Sequence, residues 1–436
     1  MNTKIKIAML GAGTASCVAM ATMIYKHKSK ELTSSKYWHI RFEIDITCIH
    51  DPDIAIFPVG ESISPIVHEV IKVATGYDYY NDIHEFDETA RWGTKNFWNK
   101  AGEDFSIIYK DPGIHANAAK LAPGLMKRFN NLDYFREIHD TVKEIVQDKN
   151  KVSIVGSKNI YRDFDYVFDC RGFPDETSLH DGSYSFPGFK SINAVLLYQD
   201  FKNYGEEFTS AYVHENGWMF GVPLEHRKAF GYTYNSEITS EEDAINNFLE
   251  NLDYYVGLKD VAVDKIKKVK WSQFYKNTII DGRVITIGNK LYFFDPQMGV
   301  PLHFVYSKVS DFLDIVNRAP KFDLSFIQTK FNALYKKHMG ELQDVLPINY
   351  AGKTKINSPF WNLKQKEAYD FLQNSESFYK WYKNTKMGKP PEMLGVPGFN
   401  IELLTQYIDG YKIDLDNMFK ERWLAEQVVL ETEAML

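Results

Sequence analysis

The apolar positions fall into three patterns along the chain. A continuous apolar run, Ile5 to Leu10, precedes a glycine turn and then an apolar helix from Thr14 to about Tyr25. Similar strand-like runs recur in RFEIDITCIHDPD, in DYVFDCRGF (Asp165 to Phe173) and in GRVITIGNKLYFFDPQMGVPL (Gly282 to Leu302), and three of these strands run into a glycine. Between residues 191 and 270 the pattern changes to alternation with many aromatics, in FKSINAVLLYQDF, TSAYVHENGWMFGVPL and KAFGYTYNS. That predicts a mostly antiparallel sheet. From about Phe322 apolar residues return at helical spacing, in DLSFIQTKFNALYKKHMGELQDVL and LKQKEAYDFLQNSESFYKWYK, with NTKMGKPPEMLGVPGFN as the loop after them.

The first strand and helix frame a dinucleotide signature. Gly11 permits the turn and Gly13 lets backbone approach a pyrophosphate, which Thr14 and Ala15 would meet at the helix N-terminus. Ser16 stands where the third glycine of G-x-G-x-x-G is expected. His50 and Asp51 end the second strand, where an acid holds an adenosine ribose in such sites. The stretch Ile5 to Tyr25, with Lys4 and Lys6 beside it, also imitates a signal peptide, but its glycine spacing fits the nucleotide fold better. Strand-then-glycine elements so widely spread point to a discontinuous FAD domain rather than a compact NAD module. The expected fold class is therefore α/β: a Rossmann-type FAD-binding module from 1–190 and 271–320, a substrate-facing sheet from 191–270, and a helical region from 321–436.

A net charge of −7 gives no broad field for nucleic acid, and no other segment is apolar enough to cross a membrane. Cys17, Cys48 and Cys170 lack C-x-x-C spacing and read as small buried hydrophobes of a reducing, cytoplasmic compartment, with no metal site.

GWMFGVPL puts Trp218 and Phe220 on one face of a strand that stops at Gly221 and Pro223. Core packing would explain the two rings; so would a wall between two compartments. WMFGVP at Trp218 to Pro223 resembles the W-x-W-x-I-P hallmark of the flavin-dependent halogenases of the tryptophan-halogenase family. VGESISPI (Val59 to Ile66), FDPQMGVPL (Phe294 to Leu302) and NSPFW (Asn357 to Trp361) are similar to three further motifs of that family, in order. The short chain without Glu-Ser-Thr is similar to marine viral members. The resemblance implies FADH2 delivered by a separate flavin reductase, a C4a-hydroperoxide formed with O2, halide oxidised to hypohalous acid, and halogenation of a small electron-rich aromatic beyond the Trp218–Phe220–Pro223 barrier.

The resemblance also assigns roles. Gly60, Glu61 and Ser62 match the flavin-contacting loop, with Gly288, Asp295 and Pro296 on the later flavin strand. Backbone N–H groups of Gly299 and Val300 match the halide loop, and Met298 and Trp361 the substrate pocket. Met298 replaces the glutamate that polarises a tryptophan ring edge, so tryptophan is not the expected substrate, and loss of Ser-Thr implies better tolerance of bromide or iodide. In ETARWGTKNFW, aligned to T-F-K-x-G-x-[RK], Arg91 takes the place of the family's essential lysine and Lys95 that of its second basic residue. With residues 91, 93 and 95 on one strand face, either cation could reach the pocket, and Lys95 is preferred if a haloamine must form. His115 matches a stretch that begins a helix. An aromatic hydroxylase and a silent flavin-binding protein are the alternative readings, an NAD dehydrogenase the least favoured; a homo-oligomer is compatible with all of them.

Overall fold

The computed structural model describes residues 3–32, 40–56, 60–99, 103–296, 299–388 and 401–435. The apolar runs do become a doubly covered sheet. Its order is Ile280–Asp281, Val284–Thr286, Tyr166–Asp169, Lys4–Leu10, Glu43–His50, Phe135–His139, and every pairing is parallel except the first hairpin. The helix Thr14–Leu32 runs further than the apolar stretch indicated, packing between Pro65–Thr75 and Val300–Arg318. Cys17 and Cys48 are buried in this core and all three thiols are free, so they serve as apolar filling.

The alternating segments build an eight-stranded sheet in the order Lys267–Lys270, Ala194–Asp200, Lys228–Tyr234, Gly217–Pro223, Thr209–His214, Thr89–Phe97, Phe105–Asn117, Gly60–Ile63. It is antiparallel apart from Thr209–His214 against Thr89–Phe97. Three of its strands come from before residue 120, so this sheet is not confined to 191–270 as its local pattern suggested. Strand pairing across more than a hundred residues leaves no local trace in the sequence.

The late helical region begins at Val300 rather than Phe322. Gly299, with φ 64°, caps the 19-residue helix Val300–Arg318, and Pro301 occupies its first turn. Leu324–Val345, Pro359–Asn374, Glu376–Lys386, Ile401–Gly410 and Leu415–Met435 follow. Among the described residues no helix is long and apolar enough to cross a membrane.

Candidate active site

One cleft of about 2100 Å³ runs from the glycine turn to the eight-stranded sheet. At one end Gly11, with φ 98°, brings the turn so close to the neighbouring strand that a Cβ would stand 3.0 Å from the Cys170 carbonyl oxygen. A Cβ on Gly13 would meet nothing, and Gly11 to Ala15 line the cleft beside the unpaired N–H groups of the helix start. Ser16 and Gly288 lie behind this surface. Ser16 is fully buried, and a Cβ on Gly288 would press on Cys170 Sγ at 2.8 Å and Ala15 Cβ at 3.1 Å, so both act in packing the turn.

Further along, His50 and Asp51, at the end of the Glu43–His50 strand, line the cleft. Asp51 accepts hydrogen bonds from Thr141 Oγ1 at 2.7 Å and from the Asp53 amide at 3.0 Å, which hold its carboxyl below the usual range. His50 Nε2 lies 2.8 Å from Glu137 Oε1. Gly60, Glu61 and Ser62 form the opposite wall, and a Cβ on Gly60 would meet Val222 at 2.7 Å, so this loop rests directly on the Gly217–Pro223 strand. Burial pushes the Glu61 carboxyl up to about 7, against a lowering hydrogen bond with Thr14. A glycine turn open to the cleft, a helix N-terminus for a pyrophosphate and acids at the ribose end fit a flavin dinucleotide.

Trp218 and Phe220 share one face of their strand and line the cleft, their ring centroids 5.9 Å apart. Phe220 lies over Gly231 of the next strand, where a Cβ would stand 1.9 Å from the ring. Trp218 is anchored from behind: its Nε1–H donates to Tyr350 Oη at 3.2 Å, Tyr350 donates to Asp295 Oδ2 at 2.6 Å, and Ser191 donates to the same oxygen at 2.9 Å. Asp295 is thus part of the wall's support and does not line the cleft, whereas Pro296 does. Trp361 is also behind the wall. It stacks on Tyr350 at 5.8 Å and donates Nε1–H to the His214 carbonyl at 2.7 Å, fully buried and out of reach of a substrate. Met298 lies outside the described residues.

The two candidate cations separate. Register between Thr89–Phe97 and Phe105–Asn117 shifts between Arg91 and Gly93, and the alternation slips at the bulge. Arg91, Thr94 and Asn96 consequently line the cleft, while Lys95 is exposed outside it with its Nζ 4.9 Å from the Phe208 ring centroid. Residues 91 and 95 do not share a face. Arg91 is only 2% exposed; its Nε–H donates to Thr209 Oγ1 at 3.1 Å and its guanidinium lies 4.9 Å over Tyr109. Its terminal nitrogens stand 3.5 and 3.6 Å from where a Cβ of Gly299 would be. Gly299 lines the cleft; Val300, the first residue of the helix, is buried beside it.

The family model for tryptophan halogenase matches residues 109–385. The chain belongs to this family. Tryptophan 7-halogenase RebH of Lentzea aerocolonigenes is 22% identical over 459 residues, covering 87% of this chain and 83% of RebH. The solved tryptophan halogenase of Shewanella frigidimarina superposes with a TM-score of 0.74 at 17% identity, covering 99% of this chain and 95% of that one. A flavin-dependent halogenase from Xanthomonas campestris gives 0.74 at 15% identity, covering 94% and 89%. This family member is accordingly a flavin-dependent halogenase with the family's mixed α/β fold.

Several residues of this halogenase's cleft were not read from sequence. Glu137, Thr209, Tyr407 and Tyr411 all line it, and Tyr350 supports its wall. The one signal available was Gly93 inside a strand pattern, a mark of a bulge that would have warned against simple alternation through Lys95. His115 sits on the Phe105–Asn117 strand rather than at a helix start; Asn117 is the cap of the helix that follows.

Proposed function

We propose that this chain takes FADH2 from a separate flavin reductase and halogenates a small electron-rich aromatic other than free tryptophan, with better tolerance of bromide or iodide than relatives that carry Ser-Thr in the halide loop. When bound, the reduced flavin supplies with O2 the two-electron oxidation that converts halide to hypohalous acid. Gly11, Gly13, Thr14, Ala15, Asp51 and Gly60 would hold it. The N–H of Val300 at the helix start would hold the halide, where the helix dipole favours an anion.

Trp218 and Phe220 would keep the aromatic substrate from the flavin, so that only the small acid passes. Arg91, whose terminal nitrogens stand beside Gly299 at the halide end, would hold that acid as it forms, orienting it without covalent capture, because a guanidinium stays protonated. The ring C–H is then replaced by C–X, and the ring proton leaves with the hydroxide of the hypohalous acid as water. The observation that carries this reading is the two-ring wall with a buried arginine lining the same cleft. The three free thiols support a reducing, cytoplasmic setting.

The test is mass spectrometry of reactions containing FAD, a reductase with NADH, oxygen and a panel of phenols and indoles, with chloride, bromide, iodide or no halide. Halide-dependent mass shifts that vanish in Trp218→Ala are expected. Hydroxylated products formed without halide would overturn the proposal, and a preference for chloride over bromide in competition would overturn its halide part.

A further inference from the structure

Arg91 is held at the end of a hydrogen-bond chain whose direction can be worked out. Thr89 Oγ1 donates its single proton to the Pro223 carbonyl at 2.8 Å, so His115 Nδ1, 3.1 Å from the same oxygen, is the donor to it. The imidazole is buried against the two hydroxyls, and burial together with the nearby charges of Arg91 and Lys228 holds its pKa well below the usual range, against a raising hydrogen bond with the Ala90 backbone. It is therefore neutral, and Nε2 accepts from Thr209 Oγ1 at 2.8 Å. That leaves the Thr209 oxygen free to accept from Arg91 Nε–H at 3.1 Å.

The chain fixes one edge of the guanidinium and leaves the other open. Among the described residues the terminal nitrogens of Arg91 make no hydrogen bond, although the side chain is 98% removed from solvent. They face Gly299 at the start of the 19-residue Val300–Arg318 helix. A buried, open guanidinium edge against a helix N-terminus is a site for a small anion, and a side chain at position 299 would crowd it.

We propose that Thr209 and His115 are positioning residues: through Thr209, His115 orients Arg91 so that its terminal nitrogens and the start of the Val300–Arg318 helix together bind a halide ion. The proposal rests on Arg91 as the cation of the halogenase site. It extends that reading to the residues that aim it and to an affinity present without flavin.

Bromide NMR line broadening by the flavin-free protein reads the site without turnover. The wild-type protein is expected to broaden the signal at about pH 6, where Arg91 is charged and the Glu61 carboxyl of the same cleft, pushed up to about 7, is mostly neutral. Thr209→Val, which keeps the shape and removes the hydroxyl, should weaken bromide binding by about tenfold, the scale of one charge-assisted hydrogen bond. Thr209→Ser should restore it. Should Thr209→Val fail to fold, Thr89→Val tests the chain from its far end and should also weaken binding. Wild-type affinity in Thr209→Val, with loss in Arg91→Ala, would overturn the positioning role alone. Wild-type affinity in Arg91→Ala would overturn Arg91 itself and the reading beneath it.

Discussion

The Trp218 indole N–H donates to the Tyr350 hydroxyl at 3.2 Å, and that hydroxyl donates in turn to the buried carboxylate of Asp295 at 2.6 Å. Trp218, the proposed barrier residue, is therefore fastened to the helical region, and Trp361 stacks on Tyr350. Tyr350→Phe keeps the stacking and removes both hydrogen bonds. The expected cost is about 1–3 kcal/mol in urea unfolding, since Trp218 Nε1–H and Asp295 each lose a partner. Peroxide released per halogenated product should rise as the wall loosens. Unchanged stability and unchanged coupling would show that the network does not hold the barrier.

Phe220 depends on an absence. Gly231 faces it across the sheet, and a Cβ there would stand 1.9 Å from the ring, so Gly231→Ala must displace Phe220. Halogenation should fall severalfold while flavin affinity holds. The double variant Gly231→Ala with Phe220→Leu should recover part of the loss, because the smaller side chain accepts the methyl group. A purely additive pair would mean the two positions do not communicate.

Much of this was legible because it is local. The glycine turn, its helix and the parallel strands follow from continuous apolar runs, and Trp218 and Phe220 share a face by the two-residue period of a strand. What escaped was long-range. Asp295 and Trp361 sit in recognisable motifs yet lie behind the wall, since a motif gives proximity to a site without saying which layer a side chain occupies. Lys95 was misassigned to the cleft for a different reason: alternation holds only in an unbroken ladder, and the bulge between Arg91 and Gly93 reverses every face after it.

Glu61 gives the fold a pH signature. Burial lifts its carboxyl from 4.5 to about 7, so the folded protein holds a proton there that the unfolded chain has released. Its contribution to stability is complete below the unfolded value and is lost as pH rises through the folded one. Glu61→Gln removes that loss. Its melting temperature should match the wild type near pH 4 to 5 and exceed it at about pH 8. Equal differences at both pH values would show that folding leaves the Glu61 carboxyl at its ordinary value.

Arg91 and Lys95 differ by four positions and by a bulge, and their substitutions should differ accordingly. Lys95→Ala removes an exposed cation that stacks on Phe208 outside the cleft, so halogenation should stay close to the wild-type rate. Arg91→Ala removes the buried guanidinium beside Gly299 and should lower turnover by about a hundredfold or more, the scale seen when a preorganised donor is deleted. Arg91→Lys separates charge from shape. An ammonium has no Nε–H to give Thr209, so it keeps the charge and loses the fixed direction, and its rate should fall between the other two. Product yield with bromide, measured for all three variants at equal flavin loading, checks the order. If Lys95→Ala is the inactive variant, the bulge does not turn Lys95 away from the reaction and the assignment of Arg91 is lost.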